Sequence, residues 1–102
     1  MARVGFTILI RADRVDEYDE KHAAVPQPVL DAIKAAGARN YTIFRHENRV
    51  FGYYECDDAE ATRAAMHAGQ HATGWDKAMP GIVDPAGGAD GAVLMPEVFR
   101  LD

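Results

Sequence analysis

Residues 39–56 read RNYTIFRHENRVFGYYEC, and the parsing of this stretch decides the fold. The runs 39–46 and 49–56 are rich in β-branched and aromatic residues, so each reads as a strand. Only Glu47 and Asn48 separate them, which predicts a tight antiparallel hairpin.

Upstream, residues 3–10 (RVGFTILI) read as another strand. Asp13 then reads as an N-cap, with Asp16 and Glu17 in the first turn, where the helix dipole favours acids. That helix extends to about Ala24, and Pro26 and Pro28 must kink or restart it. A second piece, 28–36, turns Val29, Leu30 and Ile33 to one side, and Gly37 stops it as a C′ residue. Downstream, Asp57 or Asp58 caps a helix running to about His71. Residues 73–82 read as a short helix broken by Pro80 and Gly81, and 84–92 (DPAGGADGA) as a glycine-rich loop. The segment 93–101 (VLMPEVFRL) reads as a last strand at a sheet edge, because Pro96 cannot donate a ladder bond.

The order βαββαβ predicts an α+β, ferredoxin-like domain spanning 1–102, with one four-stranded antiparallel sheet and helices on one face. Neither parity of the strands is clearly polar. Val4, Phe6, Ile8 and Ile10 alternate with Thr7 and Leu9, and Phe51 and Tyr53 alternate with Val50, Tyr54 and Cys56. A half-solvated sheet alternates more cleanly. The helix-free face is therefore expected to pack sheet to sheet in a two-fold homodimer, to be roofed as an aromatic site, or both.

Composition narrows the functions. The 102 residues are 48% hydrophobic and 26% charged, ordinary for a globular protein, with a net charge of −5. No basic run is present, so a nucleic-acid partner is not expected. No apolar run is long enough to cross a bilayer, and no signal peptide is visible. One cysteine, Cys56, excludes an intrachain disulfide and fits a cytoplasmic protein.

Tyr18 and His22 stand four apart in the first helix, on one face with Val15 and Val25. A phenol and an imidazole facing inward need partners, or a ligand that supplies them. An inward histidine satisfied by a backbone carbonyl is one reading. A general acid or base is the other, since free imidazole titrates near pH 6.5. Tyr41 and Trp75 are packing residues on one reading. On the other, the Tyr18 hydroxyl donates to or accepts from a polar ligand, and Trp75 is a platform for the C–H face of a flat one. His67 and His71 have the i, i+4 spacing of a metal pair, but no third ligand is placed, so a solvated face is expected there and no metal. His46 ends a strand at a turn, and Cys56 reads as a small apolar residue. No glycine-rich phosphate loop leads from a strand into a helix.

Several pieces together resemble one family: Tyr18-x-x-x-His22, Gly37-Ala38-x-Asn40-Tyr41, Phe51 to Glu55, Trp75-x-Lys77-x-Met79 and Glu97-Val98-Phe99-x-Leu101. In order and spacing the chain is similar to the L-rhamnose mutarotases, small dimeric proteins of the ferredoxin-like α/β-barrel type. The resemblance implies a cofactor-free isomerase that interconverts α and β pyranose anomers. It makes His22 the proton donor and Tyr18, Tyr41 and Trp75 sugar-binding residues. Asp76 stands where the family carries a second tryptophan, which exchanges a stacking surface for a carboxylate at a sugar-binding position. That departure opens L-fucose, another 6-deoxy-L-hexose, as an alternative substrate. A ligand-binding module or a small oxygenase on the same fold is the alternative from another class.

Overall fold

The computed structural model describes residues 1–78, 81–84, 86 and 92–101. Four strands, β1 (Ala2–Leu9), β2 (Arg39–His46), β3 (Arg49–Cys56) and β4 (Ala92–Met95), form one sheet in the order β2-β3-β1-β4. Each neighbouring pair is antiparallel. The helices are α1 (Val15–Ala23), α2 (Gln27–Ala35), α3 (Ala59–Thr73) and the single turn α4 (Trp75–Ala78). This is the ferredoxin-like arrangement expected from the sequence.

The hairpin has the predicted strand limits, and Glu47 takes a left-handed φ of 53° at its tip. Pairing along it is broken once. Between Arg39 and Thr42 the register shifts, so Asn40 and Tyr41 together oppose Tyr54. This is a β-bulge, and Asn40 absorbs it at φ 51°, a conformation asparagine tolerates better than most residues. The Asn40 amide donates to Glu55 Oε1 at 3.0 Å, which pins the bulge to β3.

The face of the sheet beneath the helices is the core. Val50, Gly52, Tyr54 and Cys56 alternate inward along β3. Phe6 lies directly across from Gly52, and its ring occupies the space a side chain there would need. Phe6 also meets Tyr41 and Tyr54, with ring centroids 6.0 and 6.1 Å away. A second cluster holds Ile10, Tyr18, Val50 and Ile82. The two clusters share Ile8, so the body of Tyr18 is anchored in a core continuous with β1.

The outer face is apolar in part, as the strand parities foretold. Phe44, Phe51 and Val93 are exposed. Pairing sets Phe44, Phe51, Thr7 and Val93 in one row across all four strands.

Three local expectations change. Asp13 does not cap a helix: residues Ala12–Arg14 form a 3₁₀ turn, no side chain caps it, and α1 begins only at Val15. The last strand is Ala92–Met95 rather than 93–101. It does lie at the edge, and Pro96 ends its pairing; Val98, Phe99 and Leu101 beyond it are exposed. Helix α3 runs on to Thr73, and the expected 73–82 helix is only the single turn Trp75–Ala78, with 81–82 in a turn. Asp58 is its N-cap, its carboxylate accepting from the Ala61 N–H at 3.1 Å. Residues 79, 80 and most of the 84–92 stretch lie outside the described residues.

Candidate active site

Helix α1 sets the first two site residues. The i, i+4 spacing stacks the His22 ring on the Tyr18 ring, with centroids 4.0 Å apart and planes 23° from parallel. Tyr18 is buried and His22 half-buried. His22 Nδ1 lies 2.9 Å from the Tyr18 carbonyl oxygen. A carbonyl oxygen only accepts, so Nδ1 carries a proton and donates. The ring is thereby fixed, and proton exchange with a ligand falls to Nε2 alone.

Trp75 arrives from the other side. Helix α3 ends at Gly74, which adopts φ 79° at no steric cost, its N–H reaching the His71 carbonyl at 3.2 Å. The reversal makes Trp75 the first residue of α4. Its indole meets His22 at right angles, with an interplanar angle of 80° and centroids 5.4 Å apart. His22 is therefore held between a phenol and an indole. The bulge supplies Tyr41, which stacks on Tyr54 at 5.5 Å with planes 4° from parallel.

Tyr18, His22, Tyr41 and Trp75 all line one cavity of about 490 Å³. That volume lies within the ordinary range for small-molecule sites. Val25, Val29, Leu30, Ile33 and Ile43 give it aliphatic walls. Burial, above all, raises the Tyr18 phenol far above its ordinary range. Burial and the neighbouring Tyr54 push the Tyr41 phenol up to about 12. Both hydroxyls are thus protonated at neutral pH and offer hydrogen bonds, not a phenolate base.

Three polar residues on the wall escaped the sequence reading: Asp19, Arg45 and Gln70. Arg45 grips Asp19 with two hydrogen bonds, Nε to Oδ1 at 2.8 Å and Nη2 to Oδ2 at 2.7 Å. This bond, with the Arg45 and His22 charges adding to it, holds the Asp19 carboxyl below the usual carboxylate range against the opposing effect of burial. A usable signal existed. Asp19 follows Tyr18 on α1, and Arg45 shares the parity of Tyr41 and Ile43 on β2.

Asp76 is the one expected sugar-binding residue that the fold does not bring to the cavity wall. One turn of α4 points it elsewhere: its Oδ2 accepts from His71 Nδ1 at 3.0 Å. His67, His71 and His46 are exposed, as anticipated. Cys56 is fully buried in the core. Among the described residues, no three His, Cys, Asp or Glu side chains cluster as metal ligands would, and no helix is long and apolar enough to cross a membrane.

A profile of the family described as L-rhamnose mutarotase matches residues 3–101. The chain is 34% identical over 106 residues to an L-rhamnose mutarotase of Opitutus terrae, and 29% identical over 104 residues to one of Bacillus subtilis. Each match covers 100% of both chains. Among solved structures, the L-rhamnose mutarotase of Formosa agariphila superposes with a TM-score of 0.73 at 19% identity, over 100% of both chains. A dimeric ferredoxin-like protein from an uncultured marine organism gives 0.60 at 12% identity, over 96% of each chain. These two likenesses speak for the fold. The profile and the full-length relatives speak for descent: the chain belongs to the L-rhamnose mutarotase family.

Proposed function

We propose that this protein interconverts the α and β pyranose anomers of L-rhamnose, with His22 as the proton donor. The carrying observation is the His22 imidazole, clamped between Tyr18 and Trp75 on the cavity wall with only Nε2 left to exchange a proton. Ring opening breaks the C1–O5 bond. O5 gains a proton from the His22 imidazolium while the anomeric hydroxyl loses one, leaving an open-chain aldehyde. Rotation about C1–C2 presents the other carbonyl face, and O5 adds to it with the protons moving back. The two phenols hold the sugar hydroxyls, and Trp75 stacks on its C–H face. Because both phenols are protonated, water or a sugar hydroxyl takes the anomeric proton. A positioned acid of this kind contributes roughly 10²–10⁴ in rate.

The aliphatic walls suit the methyl group of a 6-deoxy sugar. The Asp76 carboxylate, engaged with His71, gives no reason to prefer L-fucose. The apolar row Phe44, Phe51 and Val93 supports a homodimer packed sheet to sheet, which leaves the helix-side cavity open. The lone cysteine fits a cytoplasmic setting.

Saturation-transfer NMR across L-rhamnose, L-fucose and D-glucose tests the assignment. Exchange is expected to be fastest with L-rhamnose and to drop by roughly 10²–10⁴ in His22→Ala. A folded His22→Ala protein with undiminished exchange would overturn it.

A further inference from the structure

The proton chemistry leaves the Asp19–Arg45 pair unused, although both residues line the same cavity. Besides its two bonds to Asp19, Arg45 donates from Nη1 to the Glu47 carbonyl at 2.6 Å. Three of the five guanidinium N–H groups are thereby committed among the described residues, which leaves two. The carboxylate has about four acceptor sites, and Arg45 occupies one on each oxygen. Unused donors and acceptors therefore sit side by side in one plane, held there by the fork. Adjacent sugar hydroxyls are the matching pattern, since each can accept from the guanidinium while donating to the carboxylate. The pair is also neutral as a unit. A lone guanidinium on this wall would draw anions; Asp19 cancels it, and the aliphatic remainder of the wall offers a charge nothing.

We propose that Asp19 and Arg45 form the specificity element of the cavity, reading two neighbouring hydroxyls of an uncharged monosaccharide and rejecting sugars that carry a carboxylate. The inference rests on the reading of the cavity as the sugar site. Both side chains keep solvent contact, 48% for Asp19 and 29% for Arg45, so amide replacements strand no deeply buried charge. Circular dichroism melts verify that each variant is folded.

The test measures anomer exchange against L-rhamnose concentration, and binding of D-galacturonic acid by competition. Arg45→Gln is expected to raise KM about tenfold with kcat within about threefold, because contacts to remote hydroxyls bind ground and transition states alike. Arg45→Lys is expected to share the defect, since an ammonium cannot reproduce the fork. Asp19→Asn uncovers the guanidinium. It is expected to bind galacturonate about tenfold more tightly than the unmodified protein, a gain that salt erodes and that the Asp19→Asn, Arg45→Gln double variant lacks. A merely structural pair would shift melting but not this preference for charge. Unchanged KM in folded Arg45→Gln, or unchanged galacturonate affinity in folded Asp19→Asn, overturns the proposal. His22→Ala, assayed in parallel, keeps the two readings apart. If it loses exchange while the pair variants behave as the unmodified protein, the pair's role alone falls. If it retains exchange, the sugar site itself is misplaced.

Discussion

Among the described glycines Gly52 has the least room, and replacing it reaches the candidate active site without touching it. A methyl group added there would sit 2.0 Å from Phe6 Cζ and within 2.5 Å of both Cε atoms. Carbon atoms pack at about 3.5 Å, so the Phe6 ring would have to retreat by roughly 1.5 Å. It has nowhere open to go, being only 5% exposed and wedged against Tyr41 and Tyr54. Overpacking of this kind costs about 1–3 kcal/mol. For a domain near 100 residues each kcal/mol lowers the melting temperature by about 4–8 °C. Gly52→Ala should therefore melt some 5–20 °C lower, and the displaced ring should disturb Tyr41 and slow anomer exchange. Thermal melts followed by circular dichroism give the first number and saturation-transfer NMR the second. Shrinking the ring with Phe6→Leu should relieve the clash, so the double variant should be more stable than the sum of the single effects by roughly 0.5–3 kcal/mol. A Gly52→Ala protein that melts within a degree of the unmodified one would refute the packing argument.

Other outcomes follow from the same geometry. Trp75 is the only tryptophan, so intrinsic fluorescence should shift as L-rhamnose fills the cavity; a flat titration at saturating sugar would remove Trp75 from the site. Tyr41→Phe deletes one hydroxyl partner and should lower kcat/KM about tenfold, the worth of roughly one hydrogen bond, with little change in melting. The Glu55 carboxyl is held below its ordinary range by hydrogen bonds from Tyr53 and Asn40. A depressed folded pKa gives stability that is present above the unfolded value, about 4.3, and lost as pH falls through the folded one. Glu55→Gln should therefore melt lower at pH 7 and approach the unmodified protein near pH 2; a gap of equal size at both would contradict the linkage. Phe51→Glu puts a charge in the middle of the outer apolar row and should shift sedimentation to the monomer, and an unshifted dimer would place the interface elsewhere.

The hairpin and the helix order were legible because their signals are local: β-branched runs, a two-residue turn, prolines, and Gly37 after α2. Tyr18 and His22 were legible because helical spacing alone brings them together. The bulge was not. Its cause is Asn40 in a left-handed conformation, and nothing in the string RNYT marks where pairing slips. Asp19 and Arg45 were missed because a charge read along one dimension looks solvated, while these two meet across 26 residues. The segment after Pro96 misled for the opposite reason. Val98, Phe99 and Leu101 have the alternation of a strand, but β4 is at the edge and no strand among the described residues pairs with them. The Asp13 cap failed because a 3₁₀ turn takes up the residues before Val15.

The Asn40–Tyr41 bulge has a consequence for folding fidelity. Sheet pairing has a period of two, so a regular hairpin can slide by two residues and still bury the same kind of face. Here the match before the bulge is offset by one from the match after it. No single slide satisfies both halves, and removing the offset would set Arg39 opposite Cys56, driving a guanidinium toward the core. The irregularity acts as a ratchet stop on the hairpin. The Tyr41 ring on the cavity wall is thus indexed to the same residue count that keeps the strands from mispairing.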